Sequence, residues 1–105
     1  PSDSRAVFIQ YDGNCSYSNF QRCVVNDRYK LIVDCFGKET YYELYNVCAD
    51  PQEMNNLIFT ASEDDRVEEL FALLSEHMKR TDDERSLQPL DLEQFRANYA
   101  SIPAR

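Results

Sequence analysis

Three strand-like runs crowd into residues 20–47, and the links between them are too short to carry the chain back across a sheet. FQRCVVN (20–26) and YKLIVDCF (29–36) are separated only by Asp27 and Arg28, and YYELYNV (41–47) follows the turn Gly37-Lys-Glu-Thr40. Links of hairpin length force antiparallel neighbours, because a parallel pair needs a long crossover between its strands. A fourth run, RAVFIQY (5–11), alternates in the same way and leads into the polar loop Asp12-Gly-Asn-Cys-Ser-Tyr-Ser-Asn19. The expected fold is α+β: a four-stranded antiparallel sheet packed against a C-terminal helix, with a short helical tail.

Alternation gives that sheet two unlike faces. Tyr29, Leu31, Val33 and Cys35 share one side of the third run and read as the core face; Lys30, Ile32, Asp34 and Phe36 share the other. The helix to cover the core face lies downstream, where Val67, Leu70, Phe71, Leu74 and Met78 recur at spacings of three and four. Ser62 with Asp65 reads as its N-cap. Glu63, Asp64 and Asp65 suit the positive end of the helix dipole, and Lys79 and Arg80 the negative end. Residues 81–85 (TDDER) read as a charged linker. Residues 91–100 can then form a short helix with Leu92, Phe95 and Tyr99 on one side. So short a helix needs a surface to lie on, and the main helix has already supplied a stripe for the sheet. The division expected is therefore a domain over 1–80 and a linker and docking tail over 81–105, with Leu90, Leu92, Phe95 and Tyr99 reserved for a partner.

The rest of the composition narrows function mainly by exclusion. A formal charge of −8 on 105 residues is the wrong sign for a nucleic-acid partner. No apolar run approaches the roughly 20 residues of a membrane span. No signal peptide is read in these residues, and the opening Pro-Ser-Asp-Ser-Arg reads as sequence that begins at a cut or an inter-domain linker, which leaves room for a targeting signal upstream and so for a periplasmic or secreted protein. Cysteines 15, 23, 35 and 48 contain no Cys-x-x-Cys pair, so a zinc knuckle is not expected. The turn near Asp27 sets Cys23 opposite Lys30 or Ile32 and away from Cys35. The four cysteines read as reduced, which favours a cytoplasmic protein, although they also allow two bridges that sequence does not pair. His77 is the only histidine and reads as a surface charge at a helix C-terminus. Asp64-Asp65 and Asp82-Asp83 read as a helix cap and a solvated linker, not as metal ligands. No nucleophile, base and orienting group fall together, so no catalytic residue and no metal ligand is expected.

One stretch says more. Residues 43–57, ELYNVCADPQEMNNL, resemble the signature near the C-terminus of sulfatases: Glu-Leu-Tyr-Asp-Leu, then Asp-Pro-x-Glu-x-x-Asn-Leu, with Asn46 and Val47 as conservative replacements. Upstream, QRCVVNDRYKLI (21–32) is similar to the family's Arg-x-Val-Arg, turn, Tyr-Lys-Tyr-Ile hairpin. Read physically, the stretch is a corner. Pro51 ends the strand, Asp50 is placed to bond the backbone two residues on, Glu53 and Asn56 suit a tight helical turn, and Leu57 is placed to plug the sheet edge.

The resemblance implies the non-catalytic C-terminal subdomain of a sulfuric ester hydrolase, packed beside a catalytic domain and framing the rim of its active site. The full enzyme would use formylglycine, made in a Cys/Ser-x-Pro-x-Arg motif, with calcium or magnesium. No cysteine here begins such a motif, and Ser101-Ile-Pro-Ala-Arg105, which fits it literally, sits in a terminal tail. The rim candidates are Asp12, Asn14, Tyr17 and Asn19, which offer donors, acceptors and a stacking face to a sugar or aryl sulfate. Arg22 can meet a sulfate, although a strand arginine more often pairs with a carboxylate such as Asp34. The partners implied are the catalytic domain and, through the tail, a second copy. The alternative is a free-standing protein-interaction module.

Overall fold

A computed structural model of the chain describes residues 6–12, 19–37, 39–83, 85 and 87–99. Strands β1 (Val7–Asp12), β2 (Asn19–Val25), β3 (Tyr29–Phe36) and β4 (Glu39–Asn46) form one antiparallel sheet in the order β1-β2-β3-β4. The first tight hairpin turns on Asn26, whose side-chain oxygen accepts from Arg28 N at 2.9 Å and Tyr29 N at 2.7 Å. Its register sets Cys23 opposite Ile32, one of the two positions expected. The second turns on Gly37 at φ 66°, a left-handed conformation that costs glycine nothing.

Helix α1 (Asp64–Arg80) covers the face made by Val24, Leu31, Val33 and Leu44, and these pack with Val67, Leu70 and Leu74 in one core, all almost wholly buried. Tyr29 and Cys35 are buried on that same face, as the alternation requires. The helix starts differently from expectation. Ser62 lies inside a 3-10 turn, Ala61–Glu63, and Glu63 occupies the cap position with no side-chain cap bond. The backbone supplies the entry instead, Glu63 N donating to Thr60 O at 2.9 Å. His77 also does more than carry charge at a helix end. Its ring stacks on Phe8 of β1, with centroids 3.9 Å apart and planes within 4°.

The expected docking tail belongs in part to this core. Helix α2 (Leu92–Tyr99) buries Leu92 and Phe95 in the cluster that holds Leu31 and Leu74. The reason is width. Four strands about 4.8 Å apart span about 14 Å, whereas one helix with its side chains is about 10 Å across. α1 lies over β2 and β3 and reaches Tyr42 on β4 only at its edge, through Phe71 with ring centroids 6.3 Å apart, so the rest of the Tyr42 ring still needs a cover. Phe95 meets it edge-on at 5.1 Å. Arg96 fixes the helix by donating to Ile58 O (2.6 and 3.0 Å) and to Asp64 Oδ1 (2.6 Å). Leu92 and Phe95 are therefore spent inside the domain, with Leu90 partly buried against the same core.

Candidate functional site

The expected rim lies where β1 ends and β2 begins. Asp12 closes β1 and Asn19 opens β2, so both are anchored by the ladder on either side of residues 13–18. Asn14 and Tyr17 lie outside the described residues. Asn19 turns toward the β3–β4 hairpin, its side-chain oxygen accepting from Gly37 N at 3.1 Å. Asp12 turns toward the core side and meets Arg22. The structure therefore joins Asp12 to Arg22 and leaves Asn19 apart from both.

Arg22 alternates with Phe20 and Val24 and so points beneath α1, where only 2% of it is exposed. A charge so placed needs a full set of partners. Its Nε and Nη2 donate to Asp83 at 2.8 and 3.0 Å, and its Nη1 donates to Asp12 at 2.9 Å and to Gln21 O at 3.0 Å. Arg85 Nε lies 3.4 Å from Asp12. Both guanidinium groups lie near the Phe20 ring, at 5.1 and 5.9 Å from its centroid. Burial alone would lower the Arg22 pKa, but the bonds to Asp83 and Asp12 outweigh it and hold it above its usual value. The Arg22 bonds hold the Asp83 carboxyl below the usual carboxylate range, against the pull of burial.

Arg22 is thus tied to carboxylates as a strand arginine should be, but to Asp83 and Asp12, not to Asp34. Asp34 sits on the opposite face, where burial and then Glu43 raise its pKa. Asp83 is not legible as a partner from sequence, because it stands in an acidic run that looks like solvated linker. The one available signal was an arginine at a core-facing strand position, which requires a carboxylate from another element.

The corner after β4 is built from side chains that replace missing strand partners. Asn46 Oδ1 accepts from Cys48 N and Ala49 N at 3.2 and 3.0 Å. The Asp50 carboxylate accepts from Met54 N at 3.1 Å and Asn55 N at 2.9 Å, farther along the chain than the two-residue bond expected. Glu53 takes a left-handed φ of 55°, so the expected helical turn does not form; the chain reverses instead. That reversal brings Asn56 back beside β4. Its oxygen accepts from Leu44 N at 2.9 Å and Ile58 N at 3.1 Å, and Leu57 N donates to Leu44 O at 2.7 Å. At Leu44 the outer edge of β4 is satisfied without a fifth strand. On the far face, Glu53 binds Lys30 Nζ at 3.1 Å, and Tyr45 is buried with its hydroxyl bonded to Glu43. Leu44 and Tyr45 are therefore both buried, one on each face.

The corner and hairpin coincide with the stretches that resemble sulfatases, and comparison with solved structures agrees. A putative sulfatase from Bacteroides thetaiotaomicron matches with 29% identity over 83% of this chain and a TM-score of 0.67. BT1596, a 2-O GAG sulfatase, matches with 27% identity over 85% and a TM-score of 0.68. The chain is a sulfatase-related domain. BT4656, solved with its substrate D-glucosamine-2-N,6-O-disulfate, matches with 27% identity over 76% of this domain and a TM-score of 0.64. The domain spans 16–19% of the length of these three sulfatases (16% of BT4656, 19% of each of the other two). No protein-family model and no curated protein matches it by sequence.

What the domain's side chains can do chemically is limited. Among the described residues no three His, Cys, Asp or Glu side chains gather to hold a metal, so these residues do not fit calcium or magnesium. Cys23 is buried and its thiol is pushed up to about 11, chiefly by that burial; burial raises Cys35 as well. Both are packing residues, too protonated near neutral pH to act as nucleophiles. No helix among the described residues is long and apolar enough to cross a membrane.

Proposed function

We propose that this domain is the non-catalytic C-terminal subdomain of a sulfatase, completing the enzyme's fold and framing the rim of its active site. The observation that carries the reading is the corner after β4. The residues that resemble the sulfatase signature are the ones that close the sheet edge, in a fold that recurs within much longer sulfatases. Formylglycine and the calcium or magnesium ion belong on this reading to a catalytic domain of the same protein, as the resemblance to sulfatases implies. Asn14 and Tyr17 are on this reading the rim candidates that meet the sugar or aryl part of a sulfate ester, between Asp12, engaged by Arg22, and Asn19, bound to Gly37 N. Arg22 serves the loop from below as a positioning residue, through Asp12. Cys23, Cys35 and Cys48 carry free thiols, which supports a reducing compartment such as the cytoplasm.

Rim framing has a kinetic signature. In the native enzyme that carries this domain, Tyr17→Ala should raise KM for the sulfate ester and leave kcat nearly unchanged, the pattern of lost uniform binding. Unchanged KM for both Tyr17→Ala and Asn14→Ala would remove the rim from the account.

A further inference from the structure

The carboxylate of Asp12 meets two arginines, and they come from distant parts of the chain. Arg22 Nη1, on β2, donates to Asp12 Oδ1 at 2.9 Å, and Arg85 Nε lies 3.4 Å from the same oxygen. Asp12 faces Phe20 in the final β1–β2 pair, and both guanidinium groups lie near that Phe20 ring. The end of β1 is therefore gripped by two cations at one rung of the ladder. Asn19, where β2 begins, is held separately by its bond to Gly37 N.

Arg85 is delivered to this spot by the turn that ends α1. Asp82 takes a left-handed φ of 56°, which a residue with a side chain keeps only where its surroundings hold it. Here Asp82 N donates to Lys79 O at 3.2 Å and Asp83 N to Met78 O at 2.9 Å. Asp83 Oδ1 then accepts from Arg85 N and from Arg22 Nη2, each at 3.0 Å. One carboxylate thus sets the backbone of Arg85 and the side chain of Arg22, and both arginines converge on Asp12. Their contacts differ in kind. Arg22 is sealed beneath α1 and bonds at hydrogen-bond distance, whereas the Arg85 pair is longer than the usual charge-assisted bond of about 2.8 Å and has 16% of the Arg85 side chain and 35% of Asp12 exposed. Such a pair adds little to stability and acts mainly on orientation. Resting on the rim reading above, we infer that Arg85 is a second positioning residue for the sulfate ester: it fixes Asp12, and so the place and direction in which the chain leaves β1 for the rim. Freedom removed there before substrate arrives is not lost again on binding.

The test is kinetic and uses the native gene product that carries this chain, with an aryl sulfate as substrate. Arg85→Gln should raise KM several-fold at nearly unchanged kcat and melting temperature, and Arg85→Lys, which keeps the charge, should recover part of that rise. In an Asp12→Asn background the Arg85→Gln change should have no further effect on KM, because the arginine acts through that carboxylate. An unchanged KM in Arg85→Gln, in an enzyme where Tyr17→Ala raises it, overturns this inference and leaves the rim reading standing. A KM unmoved by Tyr17→Ala and Asn14→Ala as well removes the rim reading, and this inference with it. Equal KM rises from Arg85→Gln with and without Asp12→Asn, or a rise matched by a large fall in melting temperature, give Arg85 to general support of the fold and overturn its positioning role.

Discussion

The Arg22 guanidinium donates to Asp83 through two nitrogens and to Asp12 through a third, so two carboxylates are charged partners of a group with almost no access to water. Leaving a buried charge with no partner typically costs about 3–5 kcal/mol; Asp12 remains beside Arg22 when Asp83 is removed, which places the loss toward the lower end. Asp83→Ala should destabilise the domain on that scale, read by urea unfolding. The pH dependence has a definite sign. Bonds from Arg22 depress the Asp83 pKa in the folded state against the opposing effect of burial. The stabilisation is therefore present above the unfolded carboxylate value of about 3.9 and lost as pH falls through the folded value. The stability gap between the parent chain and Asp83→Asn should be widest near neutral pH and narrow in acid below about pH 4. Asp34, raised by burial and Glu43, acts with the opposite sign and is common to both proteins, so it drops out of the difference. A gap independent of pH would mean that Asp83 is not charged against Arg22.

Local pattern and long-range contact divide sharply in how far the sequence reveals them. The strands, the meander and the core face are legible because alternation and short links leave few arrangements, and β3 buries every second residue as its pattern requires. The stripe on α1 is equally plain; Val67, Leu70, Leu74 and Met78 are all buried. Leu44→Ala and Leu74→Ala should each cost about 2–5 kcal/mol by denaturant titration, and losses under about half a kcal/mol at both would misplace the core. What was not legible depends on distance in sequence. Residue pattern alone does not reveal that Asp83 returns to Arg22, or that one helix is too narrow for four strands and draws α2 over Tyr42. The corner was legible as a motif, yet its bonds were not, because Glu53 turns left-handed and sends Asn56 back to Leu44. Truncation after Arg85 removes Leu92, Phe95 and Arg96, and should lower the melting temperature of the domain clearly. A melting temperature unchanged by that cut would return the segment to the role of an independent tail.

At the scale of the whole molecule, one sheet separates two kinds of surface. Its inner face is covered by α1 and α2, its edge at β4 is closed by the corner at Leu44, and its outer face stays apolar and exposed along β1. On the proposed reading a domain arranged this way supplies support and surface; among its described residues no three His, Cys, Asp or Glu side chains gather to hold a metal, and burial raises the thiol of Cys23. The most direct test of that division of labour is the hydrolysis of an aryl sulfate, measured side by side for the isolated chain and the native gene product, with calcium or magnesium supplied to both. The account predicts turnover by a native product several times longer than this chain and none by the chain alone. Turnover by the rigorously purified chain that is lost on Ser101→Ala would contradict it, as would a native product of full sulfatase length with no sulfate ester hydrolysis.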